Sequence, residues 1–220
     1  MKKRSGKTVD AGRRERVRRS RPSASESPAP GTAVFLVGFM GAGKSSVGRA
    51  LGQQLNWVFE DLDDRIEARE LRTVAEIFRD SGESEFRRAE QAALEQVLGE
   101  LSGGVARIVA LGGGAFVQKE NAARLKSSSV PTIFLDAAVE ELWQRCCAQA
   151  SAAGAERPLL RSLEQFRKLH QARRRSYSKA TLKIQTGGRA VETIAAEIAE
   201  TLGLRKAPEK KGRKKIELRT

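Results

Sequence analysis

The stretch AVFLVGFMGAGKSSVGRALGQQL, residues 33–55, decides how this chain is read. Ala33–Val37 is a continuous apolar run, the signature of a strand covered on both faces. It breaks into Gly38, Gly41 and Gly43, then Lys44, Ser45 and Ser46, and a helical pattern runs on to Leu55. Gly38–Ser45 matches G-x-x-x-x-G-K-[ST], with a strand before it and a helix after it, the setting in which that motif wraps a phosphate. Glycines let the backbone close around an anion so that successive N–H groups point inward, and the helix start adds a partial positive charge. Lys44 then reaches the β- and γ-phosphates, and Ser45 offers its hydroxyl to Mg²⁺. A glycine-rich turn without a ligand is the competing reading, and so complete a run argues against it. A nucleoside triphosphate is therefore expected.

The chain has 220 residues, enough for one domain with a proper core, and a net charge of +14. That charge is not spread evenly. Residues 1–30 hold ten Lys/Arg against three Asp/Glu, and residues 205–220 hold eight against two. The 31–204 region is left with 23 basic and 22 acidic residues, so it is nearly neutral. Three parts are expected: a basic tail 1–30, a globular domain 31–204, and a second basic tail 205–220. Both tails are too poor in apolar residues to repay the entropy of ordering and read as disordered. No aromatic residue interleaves their charges, so a solvated extension is favoured over contact with nucleic acid or an anionic surface. No apolar run is long enough to cross a membrane. The only cysteines, Cys146 and Cys147, are neighbours, which suits helix packing and a reducing cytoplasm.

Four further strands are expected at Trp57–Glu60, Arg107–Leu111, Thr132–Leu135 and Leu182–Gln185. Helical patterns lie between them: one opened by Thr73 with Glu76 three residues on, one over 83–101, then Ala138–Gln149, the basic stretch FRKLHQARRRSYSKA and Val191–Leu202. Alternation of this kind implies an α/β fold, a three-layer sandwich around a five-stranded parallel sheet, with ligands outside the carboxyl ends of the strands.

Four other stretches bear chemistry. FEDLDDRIE places Asp61 and Asp63 two apart at a strand end, one suited to Mg²⁺ and the other to accepting a hydroxyl proton; a helix cap at Asp63 or Asp64 is the plain alternative. In ESEFRRAE, Arg87 stands three residues before Glu90. That spacing is either a surface ion pair or a guanidinium held in one rotamer for a substrate carboxylate. Gly112–Gly114 ends the third strand with more glycine than a turn needs, which suggests close approach of a ligand. SAAGAERPLLRS has the composition of a mobile lid, with Arg157 placed to swing onto a triphosphate. His170, the only histidine, has no visible partner and reads as a surface or packing residue.

Together GFMGAGKSS, the DLD aspartates, GESEFRRAE, LGGGA, RPLL and the late arginine helix resemble the shikimate kinases, small P-loop kinases, over about 33–204. The resemblance implies phosphorylation of the 3-hydroxyl of shikimate by ATP with Mg²⁺. It implies that Gly41, Ala42, Gly43, Lys44, Ser45 and Ser46 cradle ATP, with Ser45 on Mg²⁺ and Asp61 near the metal. Asp63 is implied as base and acceptor anchor, Arg87 and Arg173 as the grip on the shikimate carboxylate, and Gly113 as pocket backbone. Arg157 is implied over the phosphates, and Arg145 and Arg189 beside the adenine. A monomer acting on a small molecule is expected. A gluconate-type kinase, or a nucleotide-binding scaffold recruited by its tails, stands as the alternative.

Overall fold

The computed structural model describes residues 32–153 and 162–207. Arg157, residues 1–31 and residues 208–220 lie outside the described residues, and so do the expected lid and most of both tails. Five parallel strands, β1 (Ala33–Val37), β2 (Val58–Asp61), β3 (Arg107–Ala110), β4 (Thr132–Asp136) and β5 (Leu182–Gln185), form one sheet in the order β2-β3-β1-β4-β5. Ala33 stands opposite Arg107 on one side of β1, and Phe35 opposite Thr132 on the other. Every residue of β1 is buried, which is why that strand is apolar without alternation. The helices are α1 (Lys44–Leu55), α2 (Leu62–Glu70), α3 (Val74–Glu100), α4 (Lys119–Ser127), α5 (Val139–Ala153), α6 (Leu163–Tyr177) and α7 (Val191–Thr201). They flank the sheet and complete the three-layer sandwich. Among the described residues no helix is long and apolar enough to cross a membrane.

β1 pairs with β3 on one side and β4 on the other, so the strand order reverses there. Such a switch point opens a crevice at the carboxyl ends of the strands. The loop after β1 is tied down by an aromatic cluster. Phe39 is buried, its ring edge-on to Phe166 at 4.9 Å and to His170 at 5.3 Å, both on α6. His170 is thus a packing residue, and burial lowers its pKa. Cys146 is likewise buried on α5.

The strands at Ala33–Val37 and Leu182–Gln185 and the helix Lys44–Leu55 have the bounds expected from sequence. β2 starts one residue later than expected, because the Trp57 N–H is taken by the end of α1, donating to Gly52 O at 2.9 Å, and pairing with β3 begins at Val58; the buried Trp57 side chain donates from Nε1 to the Arg205 carbonyl at 3.1 Å. The Thr73 capping box forms: Thr73 Oγ1 accepts from the Glu76 N–H at 3.2 Å, and Glu76 Oε2 accepts from the Thr73 N–H at 2.7 Å. From there α3 runs through to Glu100, broken only at Gly82 (φ 78, ψ 177), a conformation open to glycine alone. Past Leu204 the chain stays attached: the Ala207 N–H donates to Leu55 O at 2.7 Å.

Candidate active site

Gly38–Ser46 forms a tight loop that feeds into α1. Gly41 (φ 78) and Gly43 (φ 88) adopt left-handed backbone, and a Cβ at Gly41 would lie 2.6 Å from Leu142 O and 2.9 Å from Cys146 Sγ. The loop therefore presses directly onto α5. A cleft of about 270 Å³ opens above it, lined by Gly41, Gly43, Lys44, Ser45, Ser46, Asp61, Asp63 and Gly113, with Met40, Leu111, Gly112 and Gln149 completing the wall. Ala42, expected among the cradle residues, does not line this cleft. Its side chain is buried and its N–H donates back to Phe39 O at 3.2 Å, so it shapes the loop from within. Lys44 Nζ donates to Gly38 O at 3.1 Å and Phe39 O at 3.2 Å. Burial pushes the Lys44 pKa down, opposed by the charges of Asp63 and Asp61.

The two aspartates reach the cleft by a different route from simple strand alternation. Asp61 ends β2 and is itself the cap of α2: its Oδ1 accepts from the Asp63 N–H at 3.2 Å. Asp63 sits in the first helical turn, so the cap reading holds for Asp61 and not for Asp63 or Asp64. The other Asp61 oxygen, Oδ2, accepts from Ser45 Oγ at 2.7 Å, joining the phosphate loop to the acceptor side. Asp63 is pushed up to about 6, first by burial and then by Asp61, with Lys44 pulling the other way.

The three glycines after β3 make room for side chains. A Cβ at Gly112 would lie 2.7 Å from Asp63 Oδ1 and 3.2 Å from Glu90 Oε1; at Gly114 it would lie 2.5 Å from Arg87 Nη1. Those two carboxylate oxygens crowd the same glycine and are buried without a hydrogen-bond partner among the described residues. Arg87 is held on two sides, its Nη1 donating to Glu90 Oε2 at 2.9 Å and its Nη2 to Glu83 Oε1 at 2.9 Å. Glu90 is fully buried and burial pushes it up to about 7, against the pull of Arg87. The pair is therefore no surface ion pair: an enclosed carboxylate fixes the guanidinium. Arg173 approaches the same tripeptide from α6, donating from Nη1 to Gly113 O at 3.3 Å. The buried Tyr177 hydroxyl donates to that carbonyl as well. Two guanidinium groups from distant parts of the chain thus converge on Gly113 and Gly114, beside Asp63.

Arg145 lies beside the phosphate loop, donating from Nη2 to Glu141 Oε1 at 2.6 Å and Thr186 O at 2.9 Å, and from Nη1 to Gly41 O at 3.4 Å. Glu141 also accepts from the Gly188 N–H at 3.0 Å. Arg189 donates to Gln185 O at 2.8 Å and to Glu197. Three contributors escaped the sequence reading. The i−4 spacing of Glu83 to Arg87 and of Glu141 to Arg145 carried a usable signal. Tyr177 carried none, since its role depends on a partner 64 residues away.

Comparison with known proteins agrees with this geometry. The family model "Shikimate kinase" matches residues 40–203. The shikimate kinase of Persephonella marina is 36% identical over 166 residues, covering 75% of this chain and 95% of that protein. A shikimate kinase of Thermus thermophilus is 39% identical over 180 residues, 80% of this chain and 93% of the relative. The structure of shikimate kinase from Acinetobacter baumannii in complex with shikimate superposes with a TM-score of 0.69 at 32% identity, covering 78% of this chain and 92% of that one. With a phosphate loop facing an arginine-flanked recess, and with likeness over nearly the full length of these relatives, the chain belongs to the shikimate kinase family.

Proposed function

We propose that the protein transfers the γ-phosphoryl group of ATP to the 3-hydroxyl of shikimate, giving shikimate 3-phosphate and ADP. One observation carries this: Arg87 and Arg173 meet at Gly113–Gly114, next to Asp63 and at the wall of the cleft that the phosphate loop lines. A small ring acid needs cations for its carboxylate at one end and an acceptor for its hydroxyls at the other, and the recess has both.

Gly41, Gly43, Lys44, Ser45 and Ser46 bind the phosphates, with Ala42 bracing the loop and Arg145 and Arg189 on the adenine side. Arg87 and Arg173 bind the acceptor carboxylate, and the Gly113 backbone sets the depth of the recess. Asp63 orients the hydroxyl and takes its proton as the oxygen attacks phosphorus, a role suited to a carboxylate with a pKa of about 6. Lys44 stabilises charge on the transferred group. Arg157 is assigned over the phosphates from its place in ERPLL alone. Ser45 and Asp61 fit Mg²⁺, being oxygen donors that already meet at the cleft wall. When bound, the ion would neutralise phosphate charge and order the triphosphate.

Phosphorus NMR of the product tests the assignment. A new phosphomonoester on the shikimate ring is expected. Phosphorylation of gluconate in preference to shikimate would move the acceptor assignment to the gluconate-type alternative.

A further inference from the structure

Glu141 is not among the residues that line the cleft, yet it joins three pieces of chain beside the phosphate loop. It stands in the first turn of α5, four residues before Arg145. Its Oε1 accepts from Arg145 Nη2 at 2.6 Å on its own helix, and from the Gly188 N–H at 3.0 Å in the loop after β5. Its Oε2 lies against Gly187, where a Cβ would come within 2.7 Å of it, so the contact needs a residue without a side chain there. Arg145 extends the tie. The same Nη2 donates to Thr186 O at 2.9 Å, and Nη1 donates to Gly41 O in the phosphate loop at 3.4 Å. Thr186 is itself pinned, its N–H donating to Asp136 O at 2.8 Å at the end of β4. One carboxylate and one guanidinium thus hold α5, residues 186–188 and the phosphate loop together.

An i,i+4 ion pair on a helix is ordinarily a surface feature. This one differs in that Gly188 donates to the same carboxylate oxygen and Gly187 packs on the other. A guanidinium carries its N–H donors in one plane and leaves its faces free. Here Nη2 donates twice and Nη1 once to protein acceptors, while the side chain stays 30% exposed. Arg145 therefore has little donor edge left for phosphate oxygens, and offers a flat face of the kind that stacks on an aromatic ring. A long side chain without such ties would have to give up its rotamer freedom each time a ligand bound. We propose that Glu141 is a positioning residue for the nucleotide base: it fixes the plane of Arg145 and the 186–188 loop before ATP arrives, so that the two form a ready-made slot for the adenine ring. This deepens the assignment of ATP as donor and rests on it.

The test is calorimetric titration of the full chain, in Mg²⁺, with a non-hydrolysable ATP analogue, a measurement that needs no acceptor. Glu141→Ala removes both ties, and Glu141→Gln keeps an acceptor oxygen of the same reach. Gly187→Ala pushes a methyl at the carboxylate without changing any charge. Glu141→Ala and Gly187→Ala are expected to weaken binding of the analogue about tenfold, and Glu141→Gln by no more than about threefold. The kcat at saturating ATP and the shikimate KM should stay within about twofold of the parent in all three. Because Glu141 acts through Arg145, the double variant of Glu141→Ala with Arg145→Ala should lose clearly less than the product of the two single losses. Parental affinity in Glu141→Ala overturns the proposal and leaves ATP as donor. So does a double variant whose losses multiply in full, or a Glu141→Ala defect that appears in kcat and not in nucleotide affinity. A parent chain that does not bind the analogue overturns the donor assignment, and the proposal with it.

Discussion

Asp63 lies where the two halves of the site meet, and its surroundings set what it can do. Burial and Asp61 raise it to about 6, so it is ionised at neutral pH yet able to hold a proton below that. If it takes the acceptor proton, kcat/KM falls as pH drops through about 6, and Asp63→Asn removes that limb. The same variant should retain ATP affinity and lose about 10²–10⁴ in kcat; near-parental kcat would remove Asp63 as base. Arg87→Ala should instead raise the shikimate KM, with ATP affinity little changed. Glu90 gives a stability prediction. Its folded pKa, about 7, is above its ordinary value of 4.5, so the folded state takes up a proton between those values, and stability from this group is lost as pH rises through 7. Melting curves of Glu90→Gln should therefore gain on the parent as pH rises across that window; an unchanged difference would show that Glu90 does not titrate there. At this scale the sequence was readable where a local rule applied. Lys44 and Ser45 lie in a contiguous motif, and Arg87–Glu90 has helical spacing. The burial that turns the latter from a surface pair into an enclosed one depends on Gly112, far along the chain, and no spacing records it.

At the scale of elements, β1 and α1 were legible to the residue because a fully buried strand and a glycine–lysine turn each leave an unmistakable pattern. The helix Lys119–Ser127 was not, since KENAARLKS buries only Asn121 and Leu125 and carries little periodicity. Three glycines after β3 point to close approach of a ligand, and two of them, Gly112 and Gly114, also make room for the protein's own Asp63 and Arg87. That second role is testable. Gly114→Ala would push a methyl into the Arg87 guanidinium, which should raise the shikimate KM about tenfold or more while the protein stays folded. Gly82 makes the opposite case. Nothing would touch a Cβ there, yet its φ of 78 with ψ of 177 excludes other residues, so Gly82→Ala should cost about 1–3 kcal/mol through backbone strain alone. A melting temperature equal to that of the parent would contradict it.

Across the whole molecule, the sheet separates two poles: chemistry at the carboxyl ends of the strands, and both chain exits at their amino ends. The α/β architecture could be read from alternation, whereas the return of Arg205–Ala207 onto Leu55 and Trp57 could not, because it is made by backbone groups that any residue supplies. Ending the chain after Ala207 should leave turnover unchanged, and ending it after Leu204 should lower the melting temperature by removing the Trp57 and Leu55 contacts. The most direct test of the central claim, opposed grips for ATP and for a ring carboxylate acceptor, is ADP release by the purified full chain in excess Mg²⁺. Adding shikimate should raise the rate by at least roughly two orders of magnitude over ATP alone. A rate no faster with shikimate than without it would contradict the account.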